Sequence, residues 1–352
     1  MKGRRYLNGS IVLYEEIGDK QYEKVFNITR VINEGGDAIC YEAYQENSGK
    51  GVLKEYYPLY MIGLERNNKG QLGHTSEYWD SFKSFKTARE AYIKPYKMLL
   101  DIKQNSDDHD IDTFIPSFEI FHGNSDFPGM DYESTIYIWT PEPELKTFDV
   151  ICEDIHSQPS VMPERKLQDA LRAIQVLAEC IDTLHNNEII HRDIKPKNFG
   201  FKKRRKKVLF ETLQLFDVDS LCYVFSERPQ VGTIGYKAPE TAYGDYSNQS
   251  DIYSIGATLF HAIIITDETK TNGFVYRDEF FDNLSEMVDS SELITASEVN
   301  SDPRLRKMLS NILGKCLDRK PKRYNDCDDL SKAVKEALYY AINLEASGTD
   351  EK

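Results

Sequence analysis

Nothing in the 352 residues approaches the roughly 20 consecutive apolar positions of a membrane-spanning helix. The longest candidate, Ala257–Ile265, is interrupted by Thr258 and His261. The opening MKGRRYLNGSIVLYEE has basic residues but no extended apolar stretch, so no secretory signal is expected there. Glycine and proline, 20 and 13, are too scarce for a disordered or collagen-like chain. Cysteine is sparse as well, and Cys40, Cys152, Cys180, Cys222, Cys316 and Cys327 form no C-x-x-C pair. That argues against a disulfide frame or a zinc site, and fits the reduced thiols of a cytoplasmic protein. A positive excess is also lacking. With 44 basic and 58 acidic side chains the net charge is −14, poor for general binding of nucleic acid or anionic membrane. The remainder, 40% hydrophobic and 29% charged, suits a globular protein long enough for two domains.

The two halves differ in pattern. β-branched and aromatic runs fill the first (Ile11–Tyr14, Val25–Ile32, Ile39–Tyr44, Gly51–Leu53, Phe118–His122, Thr135–Trp139), with turn signals such as Asn8-Gly9 and Gly35-Gly36 between them. One helical stretch interrupts these strands, from Ser76 to about Lys94, where Lys94-Pro95 is expected to break it. From about residue 165 the pattern is helical. Leu167, Leu171, Ile174, Leu177, Ile181 and Leu184 keep steps of three and four, as do Leu305–Cys316 and Leu330–Ala341. Asn198–Phe201 and Val208–Phe216 read as a hairpin. The fold class is therefore α+β: a strand-rich unit at 1–143, a helix-rich unit at 144–345, and a tail at 346–352 expected to fray. Tyr56–Thr75, Gln104–Asp112 and Gly123–Ser134 read as surface insertions.

Four strings follow in order: His191-Arg192-Asp193-Ile194-Lys195-Pro196-Lys197-Asn198, then Leu215-Phe216-Asp217-Val218-Asp219, then Gly232-Thr233-Ile234-Gly235-Tyr236-Lys237-Ala238-Pro239-Glu240, then Ser250-Asp251-Ile252-Tyr253-Ser254-Ile255-Gly256. Together they resemble the protein-kinase superfamily, most of all the eukaryotic-like Ser/Thr kinases of bacteria. The resemblance runs from about Phe26 to Asn343. It implies a two-lobed fold, with an antiparallel-sheet N-lobe carrying one main helix and a mostly helical C-lobe. It also implies ATP and Mg²⁺ as cofactors and a protein Ser/Thr hydroxyl as acceptor.

Phosphoryl transfer is largely positioning and charge stabilisation. The resemblance makes Asp193 the base for the acceptor hydroxyl and Lys195 the cation at the transferred phosphate. Asn198 and Asp217 become oxygen ligands of Mg²⁺. Val52-Leu53-Lys54-Glu55 resembles the strand whose lysine meets the nucleotide phosphates, so Lys54 takes that role. Its carboxylate partner on the following helix is expected to be Glu90, with Glu77 as the alternative. His191, Arg192, Asp251 and a Glu240–Arg323 pair are expected to be structural. Thr233 and Lys195 favour Ser/Thr over Tyr acceptors.

The chain also departs from the family. The phosphate loop keeps only the middle glycine of G-x-G-x-x-G, as Gly35 followed by Gly36; Asn33 and Ala38 replace the outer two. Asn tolerates left-handed backbone angles, and Ala adds one methyl, so a loop over the phosphates is still expected. Asp217-Val218-Asp219 stands for D-F-G, so Asp219 is either a turn residue or a further metal ligand. Around the adenine, Thr140 and Glu142 are expected to line the hinge, although Pro141 and Pro143 remove donors. Ser220 and Ser226 read as exposed loop serines, with Arg192 and Arg228 as partners were either phosphorylated.

Lys202, Lys203, Arg204, Arg205, Lys206 and Lys207 make a basic run in an acidic chain. It reads as a solvated turn, with docking of an acidic partner or of nucleic acid as alternatives. A rival function is that of a pseudokinase, a nucleotide-binding scaffold. A small-molecule kinase is disfavoured by GTIGYKAPE, a protein-docking segment such enzymes usually lack.

Overall fold

Where β-branched and aromatic residues gather, strands form, and in this computed structural model they close on themselves. β1 (Gly9–Ile17), β2 (Lys20–Glu34), β3 (Ala38–Gln45) and β4 (Gly49–Tyr56) run antiparallel in sequence. A short insertion follows, β5 (Leu64–Arg66) and β6 (Leu72–Thr75); after the main helix of this unit come β7 (Glu119–His122), β8 (Tyr132–Ser134) and β9 (Ile136–Pro141). The barrel order is β1-β2-β3-β4-β9-β7, closed where Tyr14 faces His122. Alternate residues of each strand point inward. Leu13, Phe26, Tyr41, Leu53, Phe121 and Trp139 fill the interior. Phe26 meets both Phe121 and Trp139 at 5.1 Å between ring centres.

The structure describes residues 7, 9–17, 20–35, 37–58, 60–61, 63–66, 71–75, 79–105, 114–123, 132–141, 145–157, 163–205, 207–224, 231–265, 292–293 and 302–349. They divide into two units, 1–100 with 116–144, and 101–115 with 145–352.

The stretch Tyr56–Thr75, expected as a surface insertion, supplies β5 and β6, which join β8 in a second sheet of order β5-β6-β8. A buried ion pair ties it to the barrel. The Arg66 guanidinium holds the Glu55 carboxylate through two contacts of 2.7 Å, and the Tyr41 hydroxyl donates to Glu55 at 2.8 Å. Glu55 is fully buried. Two lone carboxylate oxygens there would be costly without such partners.

The first helix, α1 (Trp79–Asn105), passes through Pro95 instead of ending there. Proline removes one N–H, but Tyr96, Met98, Leu99 and Ile102 beyond it are all buried. Their burial, about 1.5–3 kcal/mol for each large apolar side chain, outweighs the lost hydrogen bond.

The second unit is mostly helical, and it opens with a helix ahead of residue 165 that the periodic pattern does not show. α2 (Phe148–Ser157) follows the short strand β10 (Leu145–Thr147). α3 (Pro163–Asn186), α4 (Asn248–Ile263), α5 (Pro303–Leu317) and α6 (Cys327–Thr349) supply the core. α6 runs into the segment expected to fray. α4 is almost wholly buried. At Gly256 a side chain would collide with the Cβ of Cys316 on α5, which accounts for the glycine in that string. Between α3 and α4 lie β11 (Ile189–Ile190), the hairpin β12 (Phe199–Arg204) and β13 (Lys207–Leu215), and β14 (Cys222–Tyr223). β12 is the middle strand of β10-β12-β13. Among the described residues no helix is long and apolar enough to cross a membrane.

Candidate active site

The loop carrying Asp193 is fixed by a buried carboxylate. Asp251, in the first turn of α4, accepts the backbone N–H of His191 at 2.7 Å and of Arg192 at 2.8 Å. It also meets His185 Nε2 at 3.0 Å. Burial alone would push the Asp251 carboxyl up; the His185 hydrogen bond and the neighbouring histidines outweigh that and hold it low. Arg192 has φ 69°, a left-handed state unfavourable for a residue with a β-carbon. Its Nε donates to the Ser220 carbonyl at 2.6 Å, and the Ser220 hydroxyl donates to the His191 carbonyl at 2.7 Å. Ser220 is thus engaged in the loop itself, whereas Ser226 and Arg228 lie outside the described residues. His191 is 1% exposed, and neither ring nitrogen has a hydrogen-bond partner among the described residues. Burial lowers its pKa against the pull of Asp251, Asp193 and Asp217.

On this held loop three side chains converge. Lys195 Nζ lies 2.8 Å from Asp193 Oδ2 and 2.7 Å from Thr233 Oγ1. The Thr233 hydroxyl donates to Asp193 Oδ1 at 2.7 Å. Asn198 Nδ2 donates to the Asp193 carbonyl at 2.8 Å and to Oδ2 at 3.0 Å. With its nitrogen so used, the Asn198 amide oxygen is left for another partner.

The hairpin register brings Asp217 next to Asn198. Phe199 faces Leu215, and the Phe216 N–H donates to the Asn198 carbonyl at 2.6 Å. Asp217 follows at once, exposed, in a left-handed conformation (φ 49°, ψ 58°). A carboxylate and a neutral amide oxygen are hard donors suited to a divalent ion shared with phosphate. Among the described residues no three His, Cys, Asp or Glu side chains cluster tightly enough to hold a metal ion. Phosphate oxygens would complete such a site. Asp219 sits half-buried in the short turn Val218–Ser220. Further off, Arg323 grips Glu240 at 2.5 and 3.0 Å, the expected structural pair.

In the first unit, Lys54 stands opposite Cys40 on one side and Ile138 on the other. Leu53 and Glu55 are fully buried, so by alternation Lys54 lies on the barrel's outer face with Val52. Val52 faces Thr140 across the next strand. Asn33 remains in the β2 ladder opposite Cys40 and does not take a positive φ, so its tolerance for left-handed angles is not used. Gly35 N–H donates to the Ala38 carbonyl at 2.8 Å, closing the turn. Gly36, Glu77 and Glu142 lie outside the described residues.

Glu90 departs from expectation. Its carboxylate engages Lys97 at 3.1 Å and Arg89 at 3.5 Å, not Lys54, and is 56% exposed. At about 100° per residue, Glu90 stands about 140° around α1 from Phe85. Phe85 is fully buried and stacks on Tyr56, so Glu90 faces away from the sheet.

The geometry of 191–198, 217 and 233 coincides with a family match: the protein kinase domain profile fits residues 133–333. The chain belongs to the protein kinase family. Members use ATP and a divalent metal, and the oxygen donors at Asn198 and Asp217 suit that use. Its similarity to Ser/Thr kinases includes bacterial ones. PknF of Mycobacterium tuberculosis is 27% identical over 188 residues, 51% of this chain and 36% of PknF. PknB of the same species is 32% identical over 124 residues, 34% of this chain and 18% of PknB. Calcium-dependent protein kinase 4 of Plasmodium falciparum is 30% identical over 93 residues, 26% of this chain and 18% of that kinase. The chain therefore spans well under half the length of these curated relatives. Among solved structures, the ROP18 kinase domain in complex with AMP-PNP and sucrose aligns at TM-score 0.57 and 15% identity, over 96% of this chain and 87% of that one. The BubR1 kinase domain aligns at 0.53 and 15%, over 97% and 89%. These two likenesses concern the kinase-domain fold alone.

Two residues that hold this framework carry no sequence motif. His185, which orients Asp251, was legible only as a polar residue at the end of the apolar face of α3. Arg66, which neutralises Glu55, sits in an insertion with no motif of its own.

Proposed function

We propose that this chain is a Ser/Thr protein kinase that moves the γ-phosphoryl group of ATP to a protein hydroxyl, with Mg²⁺ as its metal. The observation that carries the reading is the closed contact among Asp193, Lys195 and Thr233. An acceptor hydroxyl would donate to the Asp193 carboxylate beside the Thr233 hydroxyl, at an acceptor site Thr233 leaves open. As the new O–P bond forms and the bond from phosphorus to the β–γ bridging oxygen breaks, the acceptor proton passes to Asp193 and ADP departs. Lys195, already beside Asp193, counters the negative charge on the moving group. Thr233 and Asn198 keep the Asp193 carboxylate from rotating. Asn198 and Asp217 would hold Mg²⁺, with Asp219 as a further candidate. When bound, the metal neutralises phosphate charge.

Lys54 is the proposed phosphate-binding lysine of the first unit, on a barrel face shared with Val52 and Thr140. Asn33, Gly35, Gly36 and Ala38 would cover the phosphates, and Thr140 and Glu142 would flank the adenine. We place the chain in the cytoplasm, since none of the six cysteines is in a disulfide. The test is incubation with γ-labelled ATP, Mg²⁺ and a generic Ser/Thr substrate, reading label in the protein. The pseudokinase reading has one observation in its favour, the engagement of Glu90 by Lys97 and Arg89. Under it, nucleotide binds but no label is transferred.

A further inference from the structure

The β12–β13 hairpin starts just after Asn198 and ends just before Asp217, so its base is committed to the site. Its tip is not. At about 3.3 Å per residue the six residues of β12 carry the tip about 20 Å away. There Arg204 stands directly opposite Lys207, and Arg205 makes the turn at φ 57°. Lys202, Arg204, Arg205 and Lys207 are all exposed. None of these four forms a salt bridge among the described residues, although the chain holds 58 acidic side chains. Like charges placed directly across a strand pair are destabilising. Among the described residues, no carboxylate offsets that cost at Lys202, Arg204, Arg205 or Lys207.

From this we infer that the tip of the β12–β13 hairpin is a docking surface for an acidic segment of a partner protein. Three observations select that partner over nucleic acid. The patch is narrow, one strand pair wide, and would neutralise only a few phosphates, too few for firm binding at physiological salt. Setting aside the six basic residues 202–207, the rest of the chain carries −20, which repels a long polyanion. A short acidic segment feels mainly the charges within a Debye length of about 8–10 Å. No aromatic lies within 202–207 on which bases could stack, and Phe201 and Phe210 pack on each other at 5.3 Å. The surface does not depend on the catalytic reading, because binding is measured without turnover.

The test is fluorescence anisotropy at near-physiological salt, with a labelled oligo-glutamate peptide, its glutamine counterpart and a short labelled DNA duplex as probes. The quadruple variant Lys202→Gln, Arg204→Gln, Arg205→Asn, Lys207→Gln is compared with the unmodified chain. Wild type is expected to bind the glutamate peptide and not the glutamine one, and the variant to bind it about tenfold or more weakly. Its thermal midpoint should hold or rise, since the Arg204–Lys207 repulsion is gone. The double variant Lys202→Gln, Lys207→Gln leaves the turn untouched and should fall between the two. Equal binding by wild type and the quadruple variant would overturn the proposal. So would tighter binding of the duplex than of the peptide.

Discussion

The hydroxyl of Thr233 donates to Oδ1 of Asp193 at 2.7 Å, across 40 positions of sequence. The GTIGYKAPE segment thus touches the proposed base directly, and Lys195 closes the contact from the other side. Thr233→Val removes the donor while keeping the shape. Transfer to a protein substrate should fall about tenfold or more, with nucleotide affinity unchanged. Thr233→Ser should restore most of it. Steady-state kinetics on the three proteins read the difference.

Lys54 and Glu90 separate in the structure, and so should their variants. Lys54→Met is expected to lower transfer by about a hundredfold or more, as loss of a phosphate-binding cation would. Glu90→Gln should stay within about twofold of wild type, because it loses only exposed contacts to Lys97 and Arg89. Parallel rate measurements check both, and a large effect of Glu90→Gln would restore it as the partner of Lys54.

Arg66 is the only counter-charge the described contacts give to Glu55. Arg66→Met should therefore strand a buried carboxylate and cost about 3–5 kcal/mol. Glu55→Gln with Arg66→Met should recover much of that. Urea unfolding of the single and double variants gives the comparison.

Acid should weaken the second unit through His191. Its folded pKa lies below the ordinary 6.5, because burial disfavours the charged ring. The unfolded chain then takes up a proton first. The stability is fully present above pH 6.5 and drains away as pH falls from there through the folded value. Asp251, held low, adds a loss at still lower pH. His191→Phe should flatten the drop in thermal midpoint between neutral and mildly acidic buffer. An unchanged slope would remove His191 as its cause.

Much of this was readable from residue types. Runs such as Ile39–Tyr44 are rich in β-branched and aromatic residues, and that composition points to a strand. HRDIKPKN and GTIGYKAPE carry the side chains that contact Asp193, and DVD follows the hairpin that begins just after Asn198. What escaped depended on distant pairing. The closure of the barrel at Tyr14 and His122 joins strands about a hundred residues apart, and no local pattern encodes that register. The sheet β5-β6-β8 likewise unites two segments that read singly as polar loops. Pro95 looked like a stop because its cost is local, whereas the burial of Leu99 and Ile102 that carries α1 onward is tertiary. Glu90 was chosen by its place in the sequence; its angle around α1 turns it away.

The most direct measurement is label transfer from γ-labelled ATP by Asp193→Ala, with nucleotide binding read separately by calorimetry. If Asp193 accepts the acceptor proton, transfer should fall by about a hundredfold to ten-thousandfold. Nucleotide affinity should stay close to wild type, because Asp193 acts on the acceptor and not on ATP. Transfer within about tenfold of wild type, or a parallel loss of nucleotide binding, would contradict the assignment.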